Sequence, residues 1–353
     1  MILDPFLFLL LFTVLCCFFP ARFQRVLSLF IVLYMLFICG FRNWNVGTDT
    51  YAYISFFEDE LNQLERIEPL FKLLIVLISC VTDNYQLFLF IVASITYIPL
   101  FVVLNKVSNS PCLSLLLFET STMLYFFETF NILRQSISIV FLLYFYYYLE
   151  NNKIYKSFFY YMVAVMFHYT SIVAIVFMLF KITNIFKCGI SFITVCSVLI
   201  ISILIGSNVD VINILINTLY PFYKMNIGGV ESYISYILYN ETVDYMLYFS
   251  RYIPLVVIAI VVYTKEISKT IYYRSYFIGV VLLCLFGSVE YVIRFLSGIT
   301  ILQLFIVPIF FQEQLLYKKI LMCMYVAITI FVYVRYLVYQ TPYSGVLPYS
   351  FCF

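Results

Sequence analysis

The chain has 353 residues, of which 65% are hydrophobic and only 11% are charged, and its mean hydropathy is +1.04. Twenty basic and 18 acidic residues leave a net charge of +2, so the composition lacks the basic excess typical of nucleic-acid-binding proteins. Several apolar runs reach the roughly 20 residues that a helix needs to cross a bilayer. The sequence therefore predicts an all-α, polytopic integral membrane protein with one membrane domain over residues 1–353.

Apolar runs alternate with short polar segments along the chain and predict about 10 full transmembrane helices. Two further runs predict helices of another kind. Pro69–Val81 is too short to span and carries Lys72, so we expect a re-entrant or interfacial helix there. Ser157–Phe180 is flanked by lysines, so we expect two short helices broken at His168. The predicted spans are Ile2–Phe19, Gln24–Phe41, Tyr85–Leu104, Cys112–Glu128, Ile132–Leu149, Ile190–Ile205, Tyr252–Tyr263, Ser275–Val289, Ile293–Phe311 and Ile320–Val338.

The positions of the basic residues predict the orientation in the membrane. Lys and Arg near helix ends favour the cytoplasmic side, and Arg22 and Arg25 follow the first span. Both termini are therefore expected on the outer side. The same alternation predicts an outer loop at residues 42–68, a larger outer loop at 207–249 and an outer carboxyl tail at 340–353.

Arginines on the outer side suggest a site for an anion. Arg42, Arg134, Arg251 and Arg294 each lie within about a turn of the outer end of a predicted helix. A guanidinium is always charged, and its planar donors match phosphate oxygens in pairs. The four arginines together predict a phosphate or pyrophosphate site, although snorkelling to lipid headgroups explains each one separately.

Candidate acid–base residues lie on the same side. His168 is the only histidine of the chain, and histidine ordinarily titrates near neutral pH, so it is a candidate general base or phosphate contact. A structural histidine at a helix break is the alternative. Asp49 and Glu290 are candidate bases too, although Asp49 fits a helix cap and Glu290 fits a pair with Arg294 four residues later.

No metal-binding pattern is visible in the sequence. The ten cysteines lie mostly inside apolar runs, and there is no C-x-x-C pair, Cys/His cluster or D-x-D motif. We therefore expect neither a metal nor a cofactor.

Four segments follow one another in a recognisable order: FRNWNVGTDTYAYISFF after the second predicted span, RIEPLFKLL, NILRQSISIVFLLYFYYY and FHYTSIVAI. In this order and spacing they resemble the EpsG-like family of bacterial polysaccharide polymerases, relatives of the O-antigen polymerase Wzy. The resemblance covers most of the chain to about residue 180. Beyond that it rests on Arg294 and a Pro-Tyr tail.

The resemblance implies a fold like that of the C-type membrane glycosyltransferases and a metal-independent reaction. A growing O-antigen, capsular or exopolysaccharide chain on undecaprenyl pyrophosphate would pass to a lipid-linked repeat unit at the outer face of the bacterial inner membrane. Lipid-linked oligosaccharide and membrane lipid are the implied partners, and a chain-length regulator protein is a further candidate.

Within this hypothesis each outer residue receives an expected role. Arg134, Arg251 and Arg294 would bind pyrophosphate, and His168 would activate the acceptor or contact phosphate. Arg42 and Asp49 would shape the acceptor side. Trp44 and Tyr51 would offer surfaces on which a sugar stacks.

Other functions share parts of this pattern. A flippase or transporter of lipid-linked sugars also needs arginines in a membrane cavity, and an O-antigen ligase shares donor and chemistry. A membrane O-acyltransferase is disfavoured because no catalytic acid or second histidine lies near His168 in the sequence.

Overall fold

The structure, a computed structural model, describes residues 4–58, 67–183, 190–206, 245–287, 290–311, 316–339 and 345–352, with only the backbone described for 245–251, 290–291 and 339. These residues form sixteen α-helices and two short 3₁₀ helices, with no strand beyond one isolated bridge. The all-α prediction is confirmed for this part of the chain.

The helices follow one another with short connections. The first eight are α1 Pro5–Cys17, α2 Ala21–Gly40, α3 Thr50–Glu58, α4 Pro69–Ser79, α5 Tyr85–Val107, α6 Pro111–Thr120, α7 Tyr125–Asn131 and α8 Leu133–Glu150. The others are α9 Ile154–Phe167, α10 Ile175–Ile182, α11 Phe192–Gly206, α12 Tyr245–Val261, α13 Ile271–Phe286, α14 Glu290–Thr300, α15 Gln303–Phe310 and α16 Leu316–Tyr339. The 3₁₀ helices are Tyr169–Ala174 and Ile267–Lys269.

Several helices suit a membrane. Among the described residues, Ala21–Gly40, Tyr85–Val107, Val292–Phe310 and Leu316–Val338 are long and apolar enough to cross one, and further apolar helices have 10–17 residues. Apolar side chains such as those of Phe30 and Phe331 are exposed on them, as expected for surfaces that face lipid. The chain is thus a multi-pass helical membrane protein, while the count of about ten spans stays a prediction.

Helix starts follow local chemistry. Proline occupies the first position of α1, α4 and α6, where its missing N–H costs nothing and its fixed φ suits a helix. The side chain of Asp4 caps α1, and that of Asn84 caps α5. The short helix predicted at Pro69–Val81 is present as α4.

Two predicted single spans are interrupted instead. Cys112–Glu128 divides into α6 and α7 at Leu124, whose φ is +55°, and Ile293–Phe311 divides into α14 and α15. The two interruptions lie together, because Gln303 donates a hydrogen bond to Ser121 at 2.9 Å. A hydrogen bond between side chains therefore joins the two breaks. The break predicted at His168 is confirmed: α9 ends at Phe167, and His168 has an extended backbone.

Helix α8 lies at the centre of the bundle, where it contacts α5, α7, α9 and α14. Nearly all its side chains are buried. Its amino end carries Arg134 and Gln135, so burial of the helix fixes where these two polar groups lie. A smaller apolar cluster under that end includes Tyr53 of α3, Phe71 of α4 and Ile137 of α8.

The described parts of the outer segments 42–68 and 340–353 contain regular contacts, whereas residues 59–66 lie outside the described part. The segment 42–68 contains α3. Residues 345–352 of the predicted tail run antiparallel to Phe41–Asn43, with a bridge between Arg42 and Phe351. The predicted loop at 207–249 lies outside the described residues up to 244, as do 340–344 and 353 of the tail.

Candidate functional site

A polar pocket with an empty volume of about 480 Å³ opens where α3, α8, α14 and the His168 break meet. It brings together four residues that the sequence predicted as one site, Asp49, Arg134, His168 and Arg294. The complete lining is Asp49, Tyr53, Ile132, Arg134, Gln135, His168, Thr170, Arg294 and Phe295.

Glu68 is not part of the lining, but its carboxylate contacts two lining residues, Arg134 and His168. Its Oε2 lies 2.5 Å from Nη1 of Arg134, and its Oε1 lies 2.6 Å from Nδ1 of His168. The Glu68 side chain is only 5% exposed, whereas that of Arg134 is 25% exposed. One carboxylate therefore fixes both the guanidinium and the imidazole while Arg134 keeps an exposed side.

Local sequence explains how Glu68 is aimed. Pro69 opens α4 and disfavours helical geometry in the residue before it, so Glu68 has φ −61° and ψ 147°. Its carbonyl accepts the first hydrogen bond of α4 from the Lys72 amide at 2.9 Å. The Glu-Pro pair thus holds the backbone at a fixed point and directs the side chain away from the helix axis.

The electrostatics of Glu68 follow from these neighbours. Burial alone would raise the pKa of the carboxyl, but the hydrogen bond with His168 and the charge of Arg134 outweigh burial and lower it below the usual range. Glu68 is therefore ionised at neutral pH, and a carboxylate only accepts hydrogen bonds.

His168 takes its position from the helix break. The extended backbone at this residue ends α9, and the 3₁₀ helix Tyr169–Ala174 follows at once. Because Nδ1 is engaged by Glu68, Nε2 is the ring nitrogen left to serve a ligand. The helix break, which was predicted from the flanking lysines, therefore directs the His168 imidazole into the pocket.

Arg294 reaches the pocket from α14. Its main-chain carbonyl accepts from Nε2 of Gln135 at 2.5 Å and from the Ser297 hydroxyl at 2.7 Å. The side chain is exposed and lines the pocket. Gln135 thus ties the backbone under Arg294 to α8, next to Arg134.

Arg42 is placed elsewhere. It is fully buried, and it donates to the Cys39 carbonyl at 2.6 Å, to the Thr50 hydroxyl at 3.1 Å and to the Phe130 carbonyl at 3.2 Å. These contacts join α2, α3 and α7. The geometry gives Arg42 a structural role in holding the segment before α3, while its predicted part in shaping the acceptor side stays a prediction.

Gly47 lies in the same segment and has a φ of +95°, a conformation that favours glycine. A side chain here would come within 2.9 Å of the Asn131 oxygen. That oxygen already accepts from the Thr48 amide at 2.8 Å. The Gly-Thr-Asp stretch is thereby seated on α7, and Asp49 follows at the pocket edge, where its carboxylate makes no hydrogen bond to another described residue.

Trp44 and Tyr51 stay at the surface. Their side chains are 52% and 65% exposed, and their ring centroids are 6.2 Å apart. Two accessible aromatic faces suit a sugar ring. The stacking role itself stays a prediction. The side chains of Arg251 and Glu290, which were also predicted for the site, lie outside the described part.

A second, mainly apolar cavity adjoins the pocket. It shares Ile132, Gln135 and Arg294 with the pocket and extends between α7, α8 and α14 to residues such as Phe118 and Ile139. A ligand with an anionic head and an apolar chain therefore finds both environments side by side.

Sequence reasoning missed two residues of this site. Glu68 was contained in the quoted RIEPLFKLL motif, and its position directly before a proline was the available signal. Gln135 follows Arg134 in the quoted NILRQS motif. In the sequence neither side chain could be distinguished from a helix cap or a solvated surface residue.

The fold and site define a class, namely multi-pass helical membrane proteins with arginines and a histidine in one pocket beside an apolar cavity. The EpsG family model matches residues 25–351, so the chain belongs to the EpsG family. This membership indicates a role like that of a polysaccharide polymerase. No curated protein and no solved structure matches the chain.

Proposed function

We propose that this protein polymerises lipid-linked oligosaccharide repeat units, of O-antigen or of capsular or exopolysaccharide, at the outer face of the inner membrane. The growing glycan would leave undecaprenyl pyrophosphate and join a new lipid-linked repeat unit. The observation that carries the proposal is the convergence of Arg134, Arg294, His168 and Asp49 on one pocket in a member of the EpsG family.

The reaction needs a base and a stabilised leaving group. The acceptor hydroxyl attacks the anomeric carbon of the donor glycan, a glycosidic bond forms, and the bond from that carbon to the pyrophosphate oxygen breaks. His168 would take the hydroxyl proton through Nε2. Arg134 and Arg294 would stabilise the negative charge that develops on the departing undecaprenyl pyrophosphate.

The arrangement of charges supports this division of tasks. Arg134 is held from one side by Glu68 and lines the pocket from the other, so it meets the leaving group in a fixed orientation. Arg294 lines both the pocket and the apolar cavity, which suits the point where pyrophosphate joins lipid. Asp49 lines the same pocket and belongs to the segment that carries Trp44 and Tyr51, so the acceptor sugar would enter near this segment.

Two alternative functions, a membrane O-acyltransferase and a flippase, differ from the proposed polymerase in the reaction that they carry out. Glu68 lies beside His168, so the sequence argument that no acid accompanies this histidine, used against a membrane O-acyltransferase, is wrong. Membership of the EpsG family is what favours glycan transfer over acyl transfer. A flippase would share the cationic pocket but would form no glycosidic bond.

Deletion of the gene in its host tests the function. Loss of a polymerase leaves single repeat units on the surface acceptor, whereas loss of a flippase leaves none. Absence of single units would contradict the proposal.

Variants then test the site. Complementation with Arg134→Ala or Arg294→Ala should lower polymer formation by about 10²-fold or more, as for loss of a transition-state donor. Arg25→Ala is the matched control, because Arg25 is exposed and Arg22 keeps the charge of the same turn. Long chains at normal levels in both pocket variants would remove the two arginines from the mechanism.

A further inference from the structure

We propose that Glu68 is the positioning residue of the pocket, which fixes the proton of His168 on Nδ1 and leaves Nε2 free as a base while it holds Arg134. This inference rests on the proposed function for its kinetic consequence. Its structural part, the position of one proton, is independent of that function.

The tautomer follows from the partners of Glu68. Its Oε1 lies 2.6 Å from Nδ1 of His168, and its Oε2 bonds Arg134. An ionised carboxylate has no proton to donate, so the hydrogen atom in the short contact must belong to Nδ1. In the neutral form of the ring, which carries one N–H only, that hydrogen is on Nδ1 and Nε2 has the lone pair that a general base requires.

The same carboxylate couples the two catalytic groups geometrically. Arg134 and His168 come from α8 and from the break after α9, and these elements pack against each other. Without Glu68 each side chain could adopt other rotamers in the pocket. The bridge thus places a base and an anion-binding group at a fixed separation, with the reacting atoms between them.

The substitution Glu68→Gln separates orientation from binding. Glutamine has nearly the same shape, and its amide oxygen can still accept from Arg134. Its amide nitrogen then faces Nδ1 and donates to it, which forces the imidazole proton onto Nε2. The base is lost, while the guanidinium keeps its partner.

The uniqueness of His168 makes the measurement direct. Histidine labelled with ¹⁵N places the isotope at one residue only, since the chain has one histidine. In nanodiscs at about pH 8, where an ordinary imidazole is neutral, ¹⁵N spectra show which ring nitrogen carries hydrogen. We expect Nδ1–H in the wild-type protein and Nε2–H in Glu68→Gln, with Glu266→Gln, an exposed remote variant, like the wild type.

Kinetics provide the second measurement. Glu68→Gln should lower kcat for polymerisation by about 10²-fold, the scale of a positioned general base, with a much smaller change in KM for the lipid-linked donor. A purely structural role would instead lower the yield of folded protein without moving the proton.

Two results would overturn the proposal. One is Nε2–H in the wild-type protein, which needs no variant to fold. The other is a Glu68→Gln protein that keeps both the wild-type tautomer and the wild-type kcat. If the tautomers change as expected but no glycan is polymerised by the wild type, the positioning role stands and the proposed function fails.

Discussion

The side chain of Gln135 donates to the main-chain carbonyl of Arg294 at 2.5 Å and to the hydroxyl of Ser297 at 2.9 Å. Gln135 is fully buried and lies one residue after Arg134. Two hydrogen bonds from one amide therefore lock α14 against α8, and they set the distance between the two arginines of the pocket.

Replacement of Gln135 by leucine should loosen this junction. The Arg294 carbonyl keeps the Ser297 hydroxyl as a donor, so each of the two lost hydrogen bonds costs about 0.5–1.5 kcal/mol. We expect a lower thermal unfolding midpoint in detergent and a loss of polymer that exceeds the loss of folded protein, because Arg294 moves. Asn151→Ala is the control, since Asn151 is exposed and bonds only its own helix. An unchanged midpoint would show that α14 is held by apolar packing alone.

Replacement of Arg42 by lysine should destabilise the protein although the charge is kept. Lysine cannot reach Cys39, Thr50 and Phe130 together as the guanidinium does, because it has one compact donor group. The buried acceptors left unpaired cost on the order of 3 kcal/mol. Limited proteolysis of Arg42→Lys should show earlier cleavage in the segment before α3. If only KM changes and stability does not, Arg42 contacts substrate after all.

The lowered pKa of Glu68 predicts acid lability. The unfolded chain protonates this carboxyl at its ordinary pKa, about 4.3, whereas the folded protein does so only at lower pH. The stabilisation is therefore complete above the unfolded pKa and is lost as the pH falls below it through the folded pKa. Unfolding midpoints measured across this window should converge for wild type and Glu68→Gln. Equal pH profiles at all values would contradict the coupling, and Glu266→Gln should behave as the wild type.

Trp44 is the only tryptophan of the chain. Its fluorescence can therefore report on the contact between Phe41–Gly47 and residues 345–352. The Gly47 amide donates to the Gly345 carbonyl at 2.8 Å, and the Asn43 amide to the Ser350 carbonyl at 3.0 Å. A chain shortened after residue 344 loses both bonds. We expect greater quenching of Trp44 fluorescence by acrylamide and reduced polymer formation. Ser350→Ala keeps the main-chain pairing, loses only the exposed hydrogen bond from the Ser350 hydroxyl to Asn45, and should stay much closer to the wild type than the shortened chain. Identical quenching in the shortened chain would show that α7 alone orders the segment.

Much of the fold can be predicted from the lengths of the apolar runs and from the positions of the basic residues along the chain. The short α4 and the break at His168 follow from runs too short or too lysine-flanked to cross once. The interruptions at Leu124 and before Gln303 do not, because the hydrogen bonds that join them, Tyr125 with Thr300 and Gln303 with Ser121, link residues 175 and 182 positions apart.

The residue types of the site could be predicted from the sequence, but the contacts between their side chains could not. Arginine at helix ends and a single histidine point to the pocket by chemistry alone. Which arginine is exposed depends on tertiary partners: Arg42 and Arg134 look alike in sequence, yet one is enclosed by carbonyls and the other faces a cavity. Glu68 lacks any local signal for its two partners, since both lie more than 60 residues further along the chain.

The antiparallel contact between Phe41–Gly47 and residues 345–352 joins segments separated by about 300 residues. Helices enter the membrane in the order of synthesis, so Asn43 and Gly47 spend nearly the whole of translation without these hydrogen-bond partners. The wall of the pocket that carries Asp49 is thus completed only after α16 has been inserted. A nascent chain that has not yet reached residue 345 therefore lacks the hydrogen bonds that support this wall of the pocket.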